Sequence, residues 1–233
     1  MAIAERTTQP ETRRGRGKRA GLDLARIVDA ARSLDPDAIT MQAVADELGV
    51  DRKALNHHVN DRDSLLELVA FETFTVHFSA FSIAANGRWQ EACRAYALEL
   101  TASVIALGGL ADHLRLGALA GTLPSEVGAR FLGPTEAVFQ KLGEGGFDDE
   151  AATRAMALLT TICLGFAADV IASRHGPRPR PTMLRSTLNR TDATAFENLT
   201  RIAAASIDTY DKKQLEMSIE VFIAGTEALL DRK

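Results

Sequence analysis

The 233 residues hold two cysteines, one tryptophan and two tyrosines, and each scarcity removes a class of protein. Cys93 and Cys163 are too few and too far apart in sequence for a disulfide framework or a paired-cysteine zinc site. Reduced thiols in a cytoplasmic protein are the simple expectation. No run of about 18 apolar residues is free of charged or polar breaks, so no membrane span is predicted. The first residues, MAIAERTTQPETRR, contain no apolar signal region. No P-loop, Gly-x-Ser-x-Gly or His-Glu-x-x-His stands anywhere in the chain. Asp112-His113 is a lone carboxylate beside a lone imidazole, with no nucleophile near it in sequence. An enzyme is therefore not expected, and no metal or cofactor is called for. Convincing strands are also missing. With 46% hydrophobic residues, few aromatics, and Ala, Leu, Glu and Arg prominent, the expectation is an all-α protein.

Charge is unevenly spread. The net charge is −4, yet Arg6, Arg13, Arg14, Arg16, Lys18 and Arg19 crowd the first twenty residues against Glu5 and Glu11. A basic head on an acidic body suits a DNA-reading unit joined to a sensing unit. Residues 1–21 lack hydrophobic periodicity and are expected to be disordered alone. Arg13, Arg14, Arg16 and Lys18 are candidate phosphate or minor-groove contacts, although a solubilising tail would look the same.

The run from Thr40 to Leu66 is the informative one. Thr40 is placed as an N-cap. Val44, Ala45 and Leu48 recur at helical spacing, and Gly49 follows where a helix ends with positive φ. Val50 would fill the corner, and Asp51 caps a second helix. Ala54, Leu55 and Val59 face inward. Arg52, Lys53, Asn56, His57 and His58 are left pointing outward, with Asp61 capping a third helix that begins at Arg62. Arg and Lys bond phosphates or guanine edges, and Asn can pair bidentately with adenine. That is a helix-turn-helix layout, whose second helix enters the major groove. Read bare, it could also be a solvated helix pair.

The whole run is more specific. Ile27-Val28-x-Ala30-Ala31, then Thr40 with Val44-Ala45-x-x-Leu48-Gly49-Val50, then Leu55-x-x-His58-Val59 and Arg62-x-x-Leu65-Leu66 resemble the DNA-binding domain of the tetracycline repressor (TetR) family, over about residues 22–70. The resemblance implies operator contacts from Thr40, Gln42, Arg52, Lys53, Asn56, His57, His58 and Arg62. Asn56 stands where the family usually has Tyr, and Arg62 where it usually has Lys. Arg keeps the phosphate contact as a fork in place of a point charge, whereas Asn56 loses an aromatic stack.

The predicted organisation is a basic arm (1–21), a three-helix helix-turn-helix domain (22–66) and a helical ligand-binding and dimerisation bundle (67–233). A first helix is read at 22–34, and a long connector at 62–81 that ends at Ala85-Asn86-Gly87. Further helices are read at 89–107, 110–120, 124–143, 148–174, 194–208 and 212–231. Gly133-Pro134 is expected to kink or interrupt one of them, and 175–194 to be a long irregular loop. Trp89, Gly121-Thr122-x-Pro124, Gly145-Gly146-Phe147 and Leu164-Gly165 extend the resemblance, more weakly, to the tetracycline-repressor branch. That branch implies a homodimer joined through helices 148–174 and 212–231, with Leu158, Ile162, Leu215, Ile219, Phe222 and Ile223 as candidate interface residues.

A sensing domain of this kind implies a mostly apolar cavity. Candidate lining residues are Phe74, His77, Phe78, Phe81, His113, Leu116, Leu119, Phe139, Cys163, Phe166 and Asp169. Ordinary core packing would use most of them equally well. The branch binds a drug–magnesium chelate through a His, but Leu119 occupies that place and cannot coordinate a metal. Asp169 alone would not hold magnesium. The expected effector is a small, largely apolar organic molecule. Together these readings predict a ligand-responsive repressor acting as a homodimer on a palindromic operator. An effector-independent activator or architectural DNA binder stays open, as does a small-molecule carrier or enzyme with a vestigial DNA domain.

Overall fold

Short polar side chains at the helix starts fix most of the N-terminal architecture. The computed structural model describes residues 22–79, 81–84, 86–114, 125–174, 179–191 and 193–230. Asp23 caps α1 (Leu24–Arg32) by accepting from the Arg26 amide at 2.9 Å. Thr40 caps α2 (Met41–Leu48) by accepting from Ala43 N at 3.1 Å. Asp51 caps α3 (Arg52–Leu55) through Lys53 N, and Asp61 caps α4 (Arg62–Phe78) through Ser64 N, both at 2.8 Å. Each side chain satisfies an amide that the helix itself cannot. Those amides hold the Asp61 carboxyl below its ordinary range.

α2 ends on Gly49 at φ 64°, ψ 35°. Val50 N donates to Ala45 O at 3.0 Å and Gly49 N to Asp46 O at 3.1 Å, the paired bonds of a Schellman stop. Ile27, Ala31, Ile39, Val44, Ala45, Leu55 and Leu65 are fully buried between these four helices.

The remaining helices are α5 (Trp89–Ala106), α6 (Ser125–Glu144), α7 (Asp149–Arg174), α8 (Pro179–Leu188), α9 (Glu197–Ala205) and α10 (Lys212–Leu230). Among the described residues no strand occurs. α5 is central, packed by α4, α6, α7 and α10. A 3-10 turn, Gly108–His113, follows α5 and touches α4, α7 and the short turn Pro36–Ala38. The buried cluster is continuous from Ile27 in α1 to Ile223 in α10, and α4 belongs to both ends of it.

Four expectations need correction. The connector stops at Phe78, with Phe81 outside it, half-buried and 6.2 Å from the Phe78 ring. In place of a helix at 110–120 the chain makes the 3-10 turn and turns extended at Leu114 (ψ 97°); residues 115–120 lie outside the described set. α6 runs through Pro134 without a break, since one missing donor weakens a helix without ending it. The stretch 175–194 contains α8, which begins on Pro179. Prolines in a first turn forfeit only amides that have no helical partner, so a Pro-rich start is compatible with helix. The helix read at 194–208 is a 3-10 turn, Ala193–Phe196, followed by α9.

α7 is long and apolar enough to cross a membrane by length and composition, with mean hydropathy 2.0 over an 18-residue window. Only 22% of that window is buried within the single chain, so one side of α7 is core and the other has no covering.

Candidate nucleic-acid interface and effector region

α3 and the turn after it carry the outward set. Leu55 and Val59 are buried, while Arg52, Lys53, Asn56, His57 and His58 are exposed. The regular helix is only Arg52–Leu55, but Asn56 keeps helical angles (φ −64°, ψ −12°). His58 N and Val59 N both donate to Leu55 O, at 2.8 and 2.9 Å. A well-capped, short element therefore presents two cations, an amide and two imidazoles on one face. Thr40 is exposed; its oxygen is committed to the cap, which leaves its O–H free to donate to a phosphate.

Two predicted contacts have partners that the sequence did not reveal. Gln42 Nε2 donates to Asp46 Oδ1 one turn on, at 2.8 Å, so reading a base would mean giving up that bond. Arg62 Nε donates to Ile39 O at 2.9 Å, across 23 residues. This bond ties the start of α4 to the residue just before the Thr40 cap. The two terminal guanidinium nitrogens stay available for a phosphate. Arg62 therefore acts first as a strut between connector and helix-turn-helix. Arg13, Arg14, Arg16 and Lys18 lie outside the described residues.

The predicted ligand set is divided by the structure. Phe74, Phe78 and Cys163 are fully buried. The rings of Phe74 and Phe78 stack at 5.1 Å, and Tyr96 meets Phe78 edge-on at 5.5 Å. Phe81, His113, Phe139, Phe166 and Asp169 are half-buried. His77 is exposed and is corrected to a surface residue; it falls off the buried α4 stripe of Leu66, Ala70, Phe74 and Phe78. Leu116 and Leu119 lie outside the described residues. Residues that sequence reasoning missed include Tyr96, buried on α5, and Thr75, whose fully buried hydroxyl has no hydrogen-bond partner. Burial pushes the Cys93 thiol up to about 12 and Cys163 up to about 11. It also pushes the Tyr96 phenol above its usual range.

Two apolar grooves open elsewhere, and none of the predicted lining residues borders them. One, of about 420 Å³, runs between α7 and α10 past Ala151, Ala155, Leu158, Thr226 and Leu229. The other, of about 400 Å³, lies between the Gly108–His113 turn and α7. The interior aromatics fill the space between α4 and α5 and leave openings only where small residues face each other.

The predicted dimer set is also redistributed. Leu215, Ile219, Phe222 and Ile223 are buried within the single chain, at 6, 2, 4 and 3% exposure. They are core residues and present nothing to a partner. Leu158 is 53% exposed and Ile162 half-buried. The outward apolar residues of α10 are Met217, Val221 and Leu229, on the opposite stripe from the one predicted. Arg94 holds Glu220 through two bonds, at 2.5 and 2.8 Å, and Gln90 Nε2 donates to Glu227 at 2.5 Å. These contacts pin the register of α10 on α5; exposed as the Arg94–Glu220 pair is, it adds little stability.

Comparison with solved structures agrees with this arrangement. Apo ActR from Streptomyces coelicolor superposes with a TM-score of 0.68 at 26% identity, covering 91% of this chain and 98% of that one. ActR in complex with actinorhodin gives 0.66 at 29% identity, over 90% and 97%. The fold is that of the TetR-family transcriptional regulators. TetR from Acinetobacter baumannii AYE shares it at a TM-score of 0.56 and 18% identity, over 90% and 98% of the two chains. No family model and no curated protein matches the chain. The TetR-family fold is all-α, with a helix-turn-helix DNA-binding region and a helical ligand-binding region. That assigns α1–α3 and the start of α4 to the first region.

Proposed function

We propose that this protein is a cytoplasmic, ligand-responsive transcriptional repressor that binds a palindromic operator as a homodimer and is released by a small organic effector. One observation carries the reading: the exposed Arg52–His58 face stands on a fully capped helix-turn-helix whose Arg62 strut and shared core join it to the helical bundle. A helix-turn-helix read in two half-sites needs two copies about 34–36 Å apart. Residues 22–66 form the reading unit and residues 67–233 the sensing and pairing unit.

The homodimer is supported by the uncovered side of α7 and α10. Leu158, Met217, Val221 and Leu229 are exposed there. Gly165 and Gly225 sit exposed inside the same two helices, with open space where a Cβ would stand. Glycine costs a helix interior about 1 kcal/mol relative to alanine, and close approach of another backbone gives it a use. A second copy explains this face better than a lipid bilayer, because the other side of α7 is packed into the core of a fold found in DNA-binding regulators.

The effector class follows from apolar surroundings and from ActR, whose structure holds actinorhodin. Repression reverses by population shift: the effector binds the DNA-incompetent spacing of the two reading units more tightly than the competent one. Arg13, Arg14, Arg16 and Lys18 add sequence-independent phosphate contacts.

The test is selection of bound sequences from a random duplex pool at roughly physiological salt. Enrichment of a palindrome is expected, and its loss of affinity in Arg52→Ala and Lys53→Ala would assign the reading face. Salt-sensitive binding without enrichment would overturn the proposal.

A further inference from the structure

The groove between the Gly108–His113 turn and α7 has a chemistry of its own. Its walls are Gly108, Gly109 and Ala111 on one side and Ala168 and Ala172 on the other. With so little side chain on either wall, the opening is a slot, and its remaining aliphatic lining, including Leu164 and Ile171, offers apolar surface to a flat molecule. Asp112 is the one charged residue among the lining residues. It is exposed and makes no hydrogen bond or ion pair with any described residue. A slot of about 400 Å³ with apolar faces and a single free carboxylate complements a planar ring system bearing one cationic nitrogen.

The same turn has a second face. It touches α4 and the turn Pro36–Ala38, and the next residue of that turn, Ile39, is the one whose carbonyl holds Arg62. Thr40, the α2 cap, follows directly. Anything that moves Gly108–His113 away from α7 presses on the entry to the helix-turn-helix. Gly108 at φ 54° and the 3-10 geometry make this turn a less strongly bonded element than the α-helices on either side.

We propose that this groove is an effector site for a planar organic cation, with Asp112 as its counter-charge, and that the Gly108–His113 turn transmits occupancy to the Pro36–Ala38 turn. The effect on transcription rests on the repressor reading above; the site and its coupling do not.

The experiment uses the full chain, in its own oligomeric state, and needs no DNA. 1-Naphthylmethylamine and 1-naphthalenemethanol, alike in shape but not in charge, are titrated by fluorescence. Amide hydrogen exchange is followed with and without the amine. The amine should bind about fivefold tighter than the alcohol, and Asp112→Asn should bring the two to parity. Ala168→Phe and, separately, Ala172→Phe, both at exposed positions, should abolish binding of either probe. Exchange across residues 36–48 should change on saturation in the native protein and not in the filled variants. Equal affinity for the two probes, binding that survives both Phe variants, or unchanged exchange at 36–48 would each overturn the proposal. A failed operator selection would leave all these readouts intact, so the two readings fail separately.

Discussion

Replacing Gly49 by alanine isolates the stop between α2 and α3. The φ of 64° lies in the left-handed region, which costs an L-residue about 1–2 kcal/mol. A Cβ built there meets nothing within 4 Å, so no clash adds to the backbone term. Alanine also restricts the unfolded chain, which offsets about 0.4–1 kcal/mol. The net destabilisation is about 1 kcal/mol, or about 2–4 °C in Tm for a chain of this size. Asparagine tolerates the same conformation, so Gly49→Asn should recover at least half of the loss. Differential scanning calorimetry at fixed protein concentration measures both variants. Operator affinity of the alanine variant should fall further than its stability predicts, because a shifted stop re-aims Arg52 and Lys53. An unchanged or raised Tm for Gly49→Ala would refute the left-handed stop, and equal Tm values for Ala and Asn would refute the backbone origin of the cost.

Other substitutions test other parts of the structure. A Cβ on Gly145 would stand 2.4 Å from Trp89 Cδ1, in a ring pair with Phe147 at 5.0 Å. Gly145→Ala should therefore cost about 1–3 kcal/mol in urea unfolding through overpacking, whereas Gly143→Ala, with nothing near, should not. Gly165→Ala should stabilise each subunit by up to about 1 kcal/mol yet weaken association in sedimentation equilibrium; strengthened association would move the pairing face off α7. Cys93 and Cys163, whose thiols burial holds at about 12 and about 11, should resist iodoacetamide at pH 8 in the native state and react after denaturation. Because their folded values are raised, stability from keeping them neutral is fully present below the ordinary thiol pKa and declines as pH rises beyond it. A charge placed at Val221 should give monomers, whereas one at Phe222 should lower thermal stability, since Phe222 is buried within the subunit.

The helix-turn-helix was legible because each of its features is local. A cap, a glycine stop and an apolar spacing all lie within a few residues of what they control, and Thr40, Gly49, Asp51 and Asp61 all act as the sequence suggests. The Arg62–Ile39 bond was hidden because it spans 23 residues. α8 was missed because prolines read as breakers unless their place in the first turn is known. The α10 interface was assigned to the wrong stripe for a related reason: Leu215, Ile219, Phe222 and Ile223 form the more apolar face, and a folded chain keeps that face for its own core. The second stripe, Met217–Val221–Leu229, was visible at helical spacing but weaker. The effector grooves left no sequence signal, because they are bordered by glycine and alanine, residues that mark space by what they lack.

The unbroken buried cluster from α1 to α10 has a calorimetric consequence. Phe71, Phe74 and Phe78 on α4 are fully buried or nearly so, and a fragment cut just after the helix-turn-helix would lose their partners. The reading helices therefore have no melting transition of their own, and the van't Hoff and calorimetric enthalpies of the subunit should agree. A molecule bound anywhere in the bundle then raises the melting temperature of the DNA-reading helices as well, by about 2.7 kcal/mol of added stability at a hundred times its Kd. The same molecule can loosen the grip on an operator while hardening the fold that grips it.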